Sequence, residues 1–229
     1  VEETIAMAQA CEAAGFDTFW LAEAYHWWRK HSMEARSSTS ITALAARETS
    51  SIGIGWGIIS PYTRHPAQIA MEARVLQETA GKDRFLLGLG ASKIFMKHIG
   101  EGESGVRIGP ATVMREAVEV IRGILSGGDF SYQGKVFSAD VPAMRDGTHS
   151  PNWDSPIYFG ATGPVLQRMS GAITDGLLTA SITTPGFAQF SRTRMEEGAL
   201  KAGRDPDNLD LGCVVVGSIN ENSDAGKQG

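Results

Sequence analysis

The hydrophobic pattern of this chain switches repeatedly between a period near 3.6 and a period near 2, and this alternation restricts the fold more than any other feature. A helical register runs through Ile5, Ala8, Cys11 and Glu12 and stops at Gly15, a residue suited to ending a helix. Residues 16–22 then read as a buried strand, 39–49 as a helix with Ile41, Leu44 and Ala45 inward, and 52–59 as a strand apolar on both faces. Pro66 opens a helix to about residue 79, and residues 84–90 form another fully apolar strand. Pro110 opens a helix with Val113, Ala117, Val120, Ile121 and Ile124 on one face, and residues 130–137 read as a small hairpin turning near Gln133-Gly134. After a connection over 138–156 come a strand at 157–160, a helix at 162–172, a strand at 175–180, a helix at 187–202 and a last strand at 211–218.

Six strands alternating with helices imply a parallel sheet with right-handed crossovers. Periodicity alone admits both an open doubly wound sheet and a closed barrel. No internal repeat or linker divides the 229 residues, so one domain over 1–229 is expected, with an excursion around 128–156. The chain starts at Val1 inside a helical register and stops soon after a strand-like run, so it is expected to be part of a longer protein, with a first strand and C-terminal segments lying outside it.

Composition removes several classes of function. A formal net charge of −5 without any Lys/Arg run argues against nucleic acid and anionic membrane surfaces as partners. No apolar stretch approaches the length of a membrane span and no signal sequence is visible, so a cytoplasmic location is expected. Cys11 and Cys213 lie outside any metal-ligand spacing; no metal site is expected, and both are expected to be buried free thiols.

Three glycine-bearing corners follow strands, which in a barrel would gather them at the C-terminal rim where such folds place their sites. The first runs from Gly55 through Gly57, Ile58, Ile59, Ser60 and Tyr62 to Arg64 and His65; it reads either as a cofactor wall with a polar rim or as a tight strand-to-helix turn. The second contains Gly88, Gly90 and Ala91, where alternate glycines either open main chain to a ligand or permit close packing; it is no dinucleotide fingerprint. The third is Gly160, Ala161, Thr162 and Gly163, with Thr162 placed to cap a helix whose N-terminus could also hold a phosphate. Glu23 is the best-placed carboxylate. His26 and His31 lack metal spacing, and Trp27 and Trp28 either line a pocket or pack under a loop.

The segment Gly57-Ile-Ile-Ser-Pro-Tyr-Thr-Arg-His-Pro66 resembles the luciferase-like superfamily, and within it the coenzyme F420-dependent branch that includes methylenetetrahydromethanopterin reductases. Further stretches in matching order carry the resemblance along the chain: residues 14–23, 88–91, 115–122, 160–164 and 172–176. It implies a (β/α)8 TIM barrel and a non-prolyl cis peptide at Gly57–Ile58 backing a deazaflavin ring. Gly57, Ile58, Ile59, Gly88, Gly90 and Ala91 would lie near that ring, and Gly160, Ala161, Thr162 and Gly163 near the cofactor phosphate. Glu23 matches the family's acidic residue, which would orient or protonate. Ala24 stands where many members carry a histidine, which leaves His26 as the substitute candidate. The activity implied is hydride transfer between F420 and a small organic substrate, in a dimer. Two alternatives stand beside it: an FMN-dependent monooxygenase using O2 and a separate flavin reductase, and a non-catalytic ligand-binding barrel.

Overall fold

The computed structural model describes residues 1–23, 36–92, 109–143, 155–179 and 183–215. In chain order its elements are α1 (Glu2–Ala13), β1 (Thr18–Leu21), α2 (Ser38–Arg47), β2 (Gly53–Trp56), α3 (Pro66–Ala80), β3 (Phe85–Gly90), α4 (Pro110–Leu125), β4 (Phe130–Gln133) and β5 (Ser138–Val141). They continue with β6 (Ile157–Gly160), α5 (Pro164–Ile173), β7 (Gly176–Leu178), α6 (Pro185–Lys201) and β8 (Asp210–Gly212). Helices α3 to α6 each open on a proline, whose fixed φ and missing N–H suit the first helical turn.

Strands β1, β2, β3, β6, β7 and β8 form one parallel sheet in chain order, while β4 and β5 make a separate antiparallel pair. That order decides between the two folds left open by periodicity. A doubly wound sheet reverses direction at a switch point; this sheet never does. Right-handed crossovers that always advance the same way put every helix on one face and leave the other to curl. The chain thus supplies six consecutive strands of a TIM barrel.

The helix-facing side holds Ile54, Trp56, Phe85, Leu87, Leu89, Ile157, Phe159 and Leu177, buried against Ala45, Ile69, Ala73, Leu76, Ile121 and Ile124. The inner side carries Trp20, Gly55, Gly88, Gly90, Tyr158, Gly160, Gly176, Leu178 and Gly212, as the register requires. It is strongly curved. The rings of Trp20 on β1 and Tyr158 on β6 meet edge to face at 5.2 Å, although β2 and β3 stand between those strands.

Several boundaries differ from the sequence reading, each for a local reason. The second strand ends at Trp56 instead of running to residue 59, because a bulge follows. The hairpin turn spans 134–137, and residues 138–141 are a strand where a connection was expected. The Glu116 carboxylate on α4 organises that turn, accepting the main-chain N–H groups of Lys135, Val136 and Phe137. Burial of Glu116 opposes its ionisation, but the three donors outweigh it and hold its pKa below the ordinary value. Leu44 is exposed and not inward; α2 buries Ser38, Thr42, Ala45 and Ala46, so small residues bring this helix close to the sheet. The expected pair of buried thiols is also corrected: Cys11 is half-buried on α1, and Cys213 is exposed just beyond the edge strand β8.

The N-terminal end of the sheet is fastened by charged side chains. Arg84 donates to the carbonyls of Thr49, Ile52 and Ala80. Asp175 accepts from the Ile157 N–H and pairs with Arg122 and Arg204. Glu12, near the end of α1, accepts the N–H groups of Ser50, Ser51 and Ile52 through one oxygen. The Ser51, Ile52 and Ser50 donors hold its pKa at about 2, against an ordinary 4.5. A carboxylate with a depressed folded-state pKa stabilises the fold above its unfolded pKa and loses that contribution as pH falls through the folded one. E12Q should therefore flatten the loss of stability between pH 4.5 and about 2, read from urea midpoints across that range. An unchanged acid limb would contradict the assignment.

Candidate active site

At the C-terminal rim the main chain breaks its alternation. Gly57 and Ile58 are joined by a cis peptide bond, as the resemblance implied. Gly57 still faces inward: a Cβ built on it would lie 3.3 Å from Trp20 Cβ and 3.8 Å from Leu178 Cδ1. Ile58 faces inward as well, so two successive residues share one face, which is the signature of a bulge. Pairing resumes at Ile59, which bridges Leu89, donates to the Gly88 carbonyl and accepts from the Gly90 N–H. On the other side, the Gly57 N–H donates to the Leu21 carbonyl.

The Ile58 side chain, half-buried, lies across bare backbone. A Cβ on Gly90 would come within 2.6 Å of both Ile58 Cδ1 and Cγ1, and one on Gly160 within 2.7 Å of Ile58 Cγ2. These two glycines are register partners on β3 and β6. The three glycine corners singled out in the sequence thus meet at one point on the rim. Gly88 has a different reason to lack a side chain: its Cβ would lie 1.8 Å from the Trp56 carbonyl oxygen, so close approach of β2 and β3 excludes any larger residue. Ala91 lies just past β3, and its carbonyl accepts from Ser60 Oγ at 3.4 Å.

The third corner leads into α5. Its N-cap is Gly163, with no side chain bonded to the helix end; this corrects the expected Thr162 cap. Pro164 takes the first helical position, which moves the cap one residue beyond Thr162. Among the described residues nothing lies within 4 Å of a Cβ built on Gly163, so they leave the helix end open on that side. The Ala161 N–H donates to the Leu178 carbonyl, tying the corner to β7.

Glu23 closes the other side of the rim. Arg64 grips both carboxylate oxygens, Nη2 reaching Oε2 at 3.0 Å and Nη1 reaching Oε1. The Ser38 N–H donates to Oε2 at 3.1 Å. The two side chains are only 7% and 16% exposed, and Arg64 Nε also lies 3.5 Å from Glu72 on α3. The clamp joins the ends of β1 and α2 to the loop that follows the bulge. Within that loop Ser60 caps its own turn, accepting from the Tyr62 N–H through Oγ and from Thr63 Oγ1 through its carbonyl. Burial raises the Tyr62 pKa, and its hydroxyl finds no hydrogen-bond partner among the described residues. His65 caps α3 by accepting the Ala67 N–H, and its ring meets Phe137 of the hairpin edge to face. His26, like Trp27, Trp28 and His31, lies outside the described residues.

Sequence reasoning missed Ser38, which shows no signal beyond its place at a helix start. It also missed Thr179, whose Oγ1 accepts the Val214 N–H and pairs with Thr183 beyond β7. Inner-face neighbours Trp20 and Leu178 were legible only as core residues.

The family model described as luciferase-like monooxygenase matches residues 1–228. A 5,10-methylenetetrahydromethanopterin reductase of Methanopyrus kandleri is 32% identical over 232 residues, covering 95% of this chain and 62% of that protein. An F420-dependent glucose-6-phosphate dehydrogenase of Nakamurella multipartita is 26% identical, covering 89% of this chain and 60% of its own length. The solved structure of the coenzyme F420-dependent tetrahydromethanopterin reductase from M. kandleri superposes with a TM-score of 0.85 at 30% identity, over 98% of this chain and 65% of that one. The chain therefore spans about three-fifths of the length of the curated relatives it matches. The Glu23–Arg64 clamp gives a stability test. R64M strands a largely buried carboxylate and should lower unfolding free energy by about 3 kcal/mol, whereas R64M/E23Q should recover at least half of the loss in denaturant titrations.

Proposed function

Because the chain belongs to the luciferase-like monooxygenase family, we propose that the whole protein is a coenzyme F420-dependent oxidoreductase acting on a small organic substrate. Support comes first from the Ile58 platform: an aliphatic side chain laid flat across Gly90 and Gly160, at the rim where a barrel carries its chemistry. A planar apolar ring fits such a surface. The residues around it suit the rest of the cofactor too. Gly163 leaves the start of α5 open, with no side chain among the described residues capping it, an arrangement that favours a phosphate on Gly160, Ala161, Thr162 and Gly163. Gly57, Ile58 and Ile59 would back the ring, with Gly88, Gly90 and Ala91 beneath or beside them. When bound, the deazaflavin supplies the hydride-carrying carbon.

The chain's own residues would then bind, orient and shield. Trp20 and Leu178 lie against Gly57 below the bulge, where they would shield that side from water. Of the two roles open to Glu23, orientation is the better supported. Both of its oxygens are engaged by Arg64 and one also by the Ser38 N–H, so it acts as an anchor for the loop that carries Ile58. His26 is kept as a proton-donor candidate on the resemblance alone. A homodimer is proposed on the same ground. The names of the relatives favour F420 over FMN, the alternative that would call for O2 and a flavin reductase.

Titrating the full-length protein with F420 and with FMN tests the proposal. F420 should bind more tightly by about tenfold or more, and bound F420 should gain or lose a hydride when candidate substrates are added. Tighter binding of FMN, with O2 consumed on reduction, would move the protein to the monooxygenase reading; binding of neither would remove both. A second variant probes the helix end. T162E places a negative charge beside the start of α5 and should weaken F420 by about tenfold, while leaving the affinity of a phosphate-free deazaflavin within about twofold.

A further inference from the structure

We propose that Gly90 and Gly160 act as positioning residues through Ile58: the side chains they lack form a slot that seats the Ile58 side chain and fixes how far it stands into the barrel mouth. This rests on the reading above for what Ile58 meets, but the slot itself is a matter of packing. On Gly160, the three atoms nearest a Cβ all belong to Ile58: Cγ2 at 2.7 Å, Cγ1 at 3.4 Å and Cβ at 3.7 Å. On Gly90, the nearest atoms are Ile58 Cδ1 and Cγ1 at 2.6 Å, followed by the Gly160 carbonyl at 3.4 Å. Gly88 is unlike them, since its obstacle is the rigid Trp56 main chain.

The consequence follows from which atoms can move. The atoms closest to a methyl added at 90 or 160 belong to Ile58, and the Gly160 carbonyl stands at 3.4 Å from the Gly90 position, so the strands can keep their register while Ile58 lifts. Ile58 is also bounded from behind. Ile59 is held to Gly88 and Gly90 by two main-chain hydrogen bonds, and Gly57 to Leu21 by a third, so the bulge cannot slide along the sheet to absorb the displacement. The displacement expected of the side chain is toward the mouth. Gly90 and Gly160 would therefore set the height of the platform without touching the ring, and a family glycine read as a ring contact would be a contact of Ile58 instead.

A double-mutant cycle in the full-length protein tests this, using wild type, G160A, I58A and I58A/G160A, with G90A in a parallel set. Two quantities are read: the F420 dissociation constant, and the urea midpoint without cofactor. With Ile58 present, G160A and G90A should each weaken F420 by about tenfold or more and lower the midpoint, as overpacking does. In the I58A background the same glycine changes should alter affinity by less than about twofold and leave the midpoint unmoved, because the clashing atoms are gone. Equal losses of affinity in both backgrounds would mean that the glycines meet the ring directly, which overturns the proposal; so would no loss when Ile58 is present. Where I58A itself abolishes F420 binding, the cofactor-free midpoints decide, and a glycine penalty that persists in I58A overturns the slot. Coupled midpoints in a protein that does not bind F420 at all would support the slot and remove the cofactor reading.

Discussion

The inner face of this sheet can curl because its larger side chains lie on residues that have none. Trp20 covers Gly55, Tyr158 covers Gly176, Leu178 covers Gly212, and Ile58 covers Gly90 and Gly160. A parallel strand with a side chain at every inward position would be too thick for β1 and β6 to come within ring contact. Alternating large residues with glycines lets them interdigitate at the density of a protein interior. The rim inherits this constraint. Where the alternation slips at Gly57–Ile58, the extra inward residue still finds bare main chain to rest on, and the result is a flat apolar surface open to the barrel mouth.

The two ends of the sheet carry different kinds of polar residue. At the N-terminal ends Glu12, Arg84 and Asp175 bind main-chain N–H and carbonyl groups, and Asp175 also pairs with Arg122 and Arg204, which is how charge behaves when it serves stability. At the C-terminal ends the groups face loops: the Glu23–Arg64 clamp, the Ser60 turn, the open start of α5 and the Thr179–Thr183 pair. The division is the one a TIM barrel imposes, with loops at the top free to vary while the bottom holds strands to helices. It gives the Glu23 carboxylate a structural reason to be held in place beside a loop whose geometry matters.

Much of this was legible in the sequence, for identifiable reasons. The alternation of periods gave the number of the sheet strands and their parallel direction, and prolines at 66 and 110 marked two helix starts correctly. The order of the strands within the sheet was not legible from periodicity, since a doubly wound sheet has the same pattern; the resemblance at 57–66 supplied the barrel. The bulge was invisible to pattern, because a run such as Ile52 to Ile59 is apolar whichever way each residue points. The hairpin was misplaced because its turn is organised by Glu116, nearly twenty residues earlier on α4. Glycines 88, 90 and 160 were recognised as places needing main chain without side chain. Which body fills each space is a three-dimensional fact: for Gly88 it is the Trp56 carbonyl, and for the other two it is Ile58.

In the proposed complex a planar cofactor lies against Ile58 with its phosphate toward α5. A crystal structure of the full-length protein with bound F420 tests this most directly. The predicted result is a deazaflavin ring in van der Waals contact with Ile58, with phosphate oxygens within hydrogen-bond distance of main-chain N–H groups near Gly163. A ring bound elsewhere, or an Ile58 side chain displaced from its slot over Gly90 and Gly160 in that complex, would contradict it.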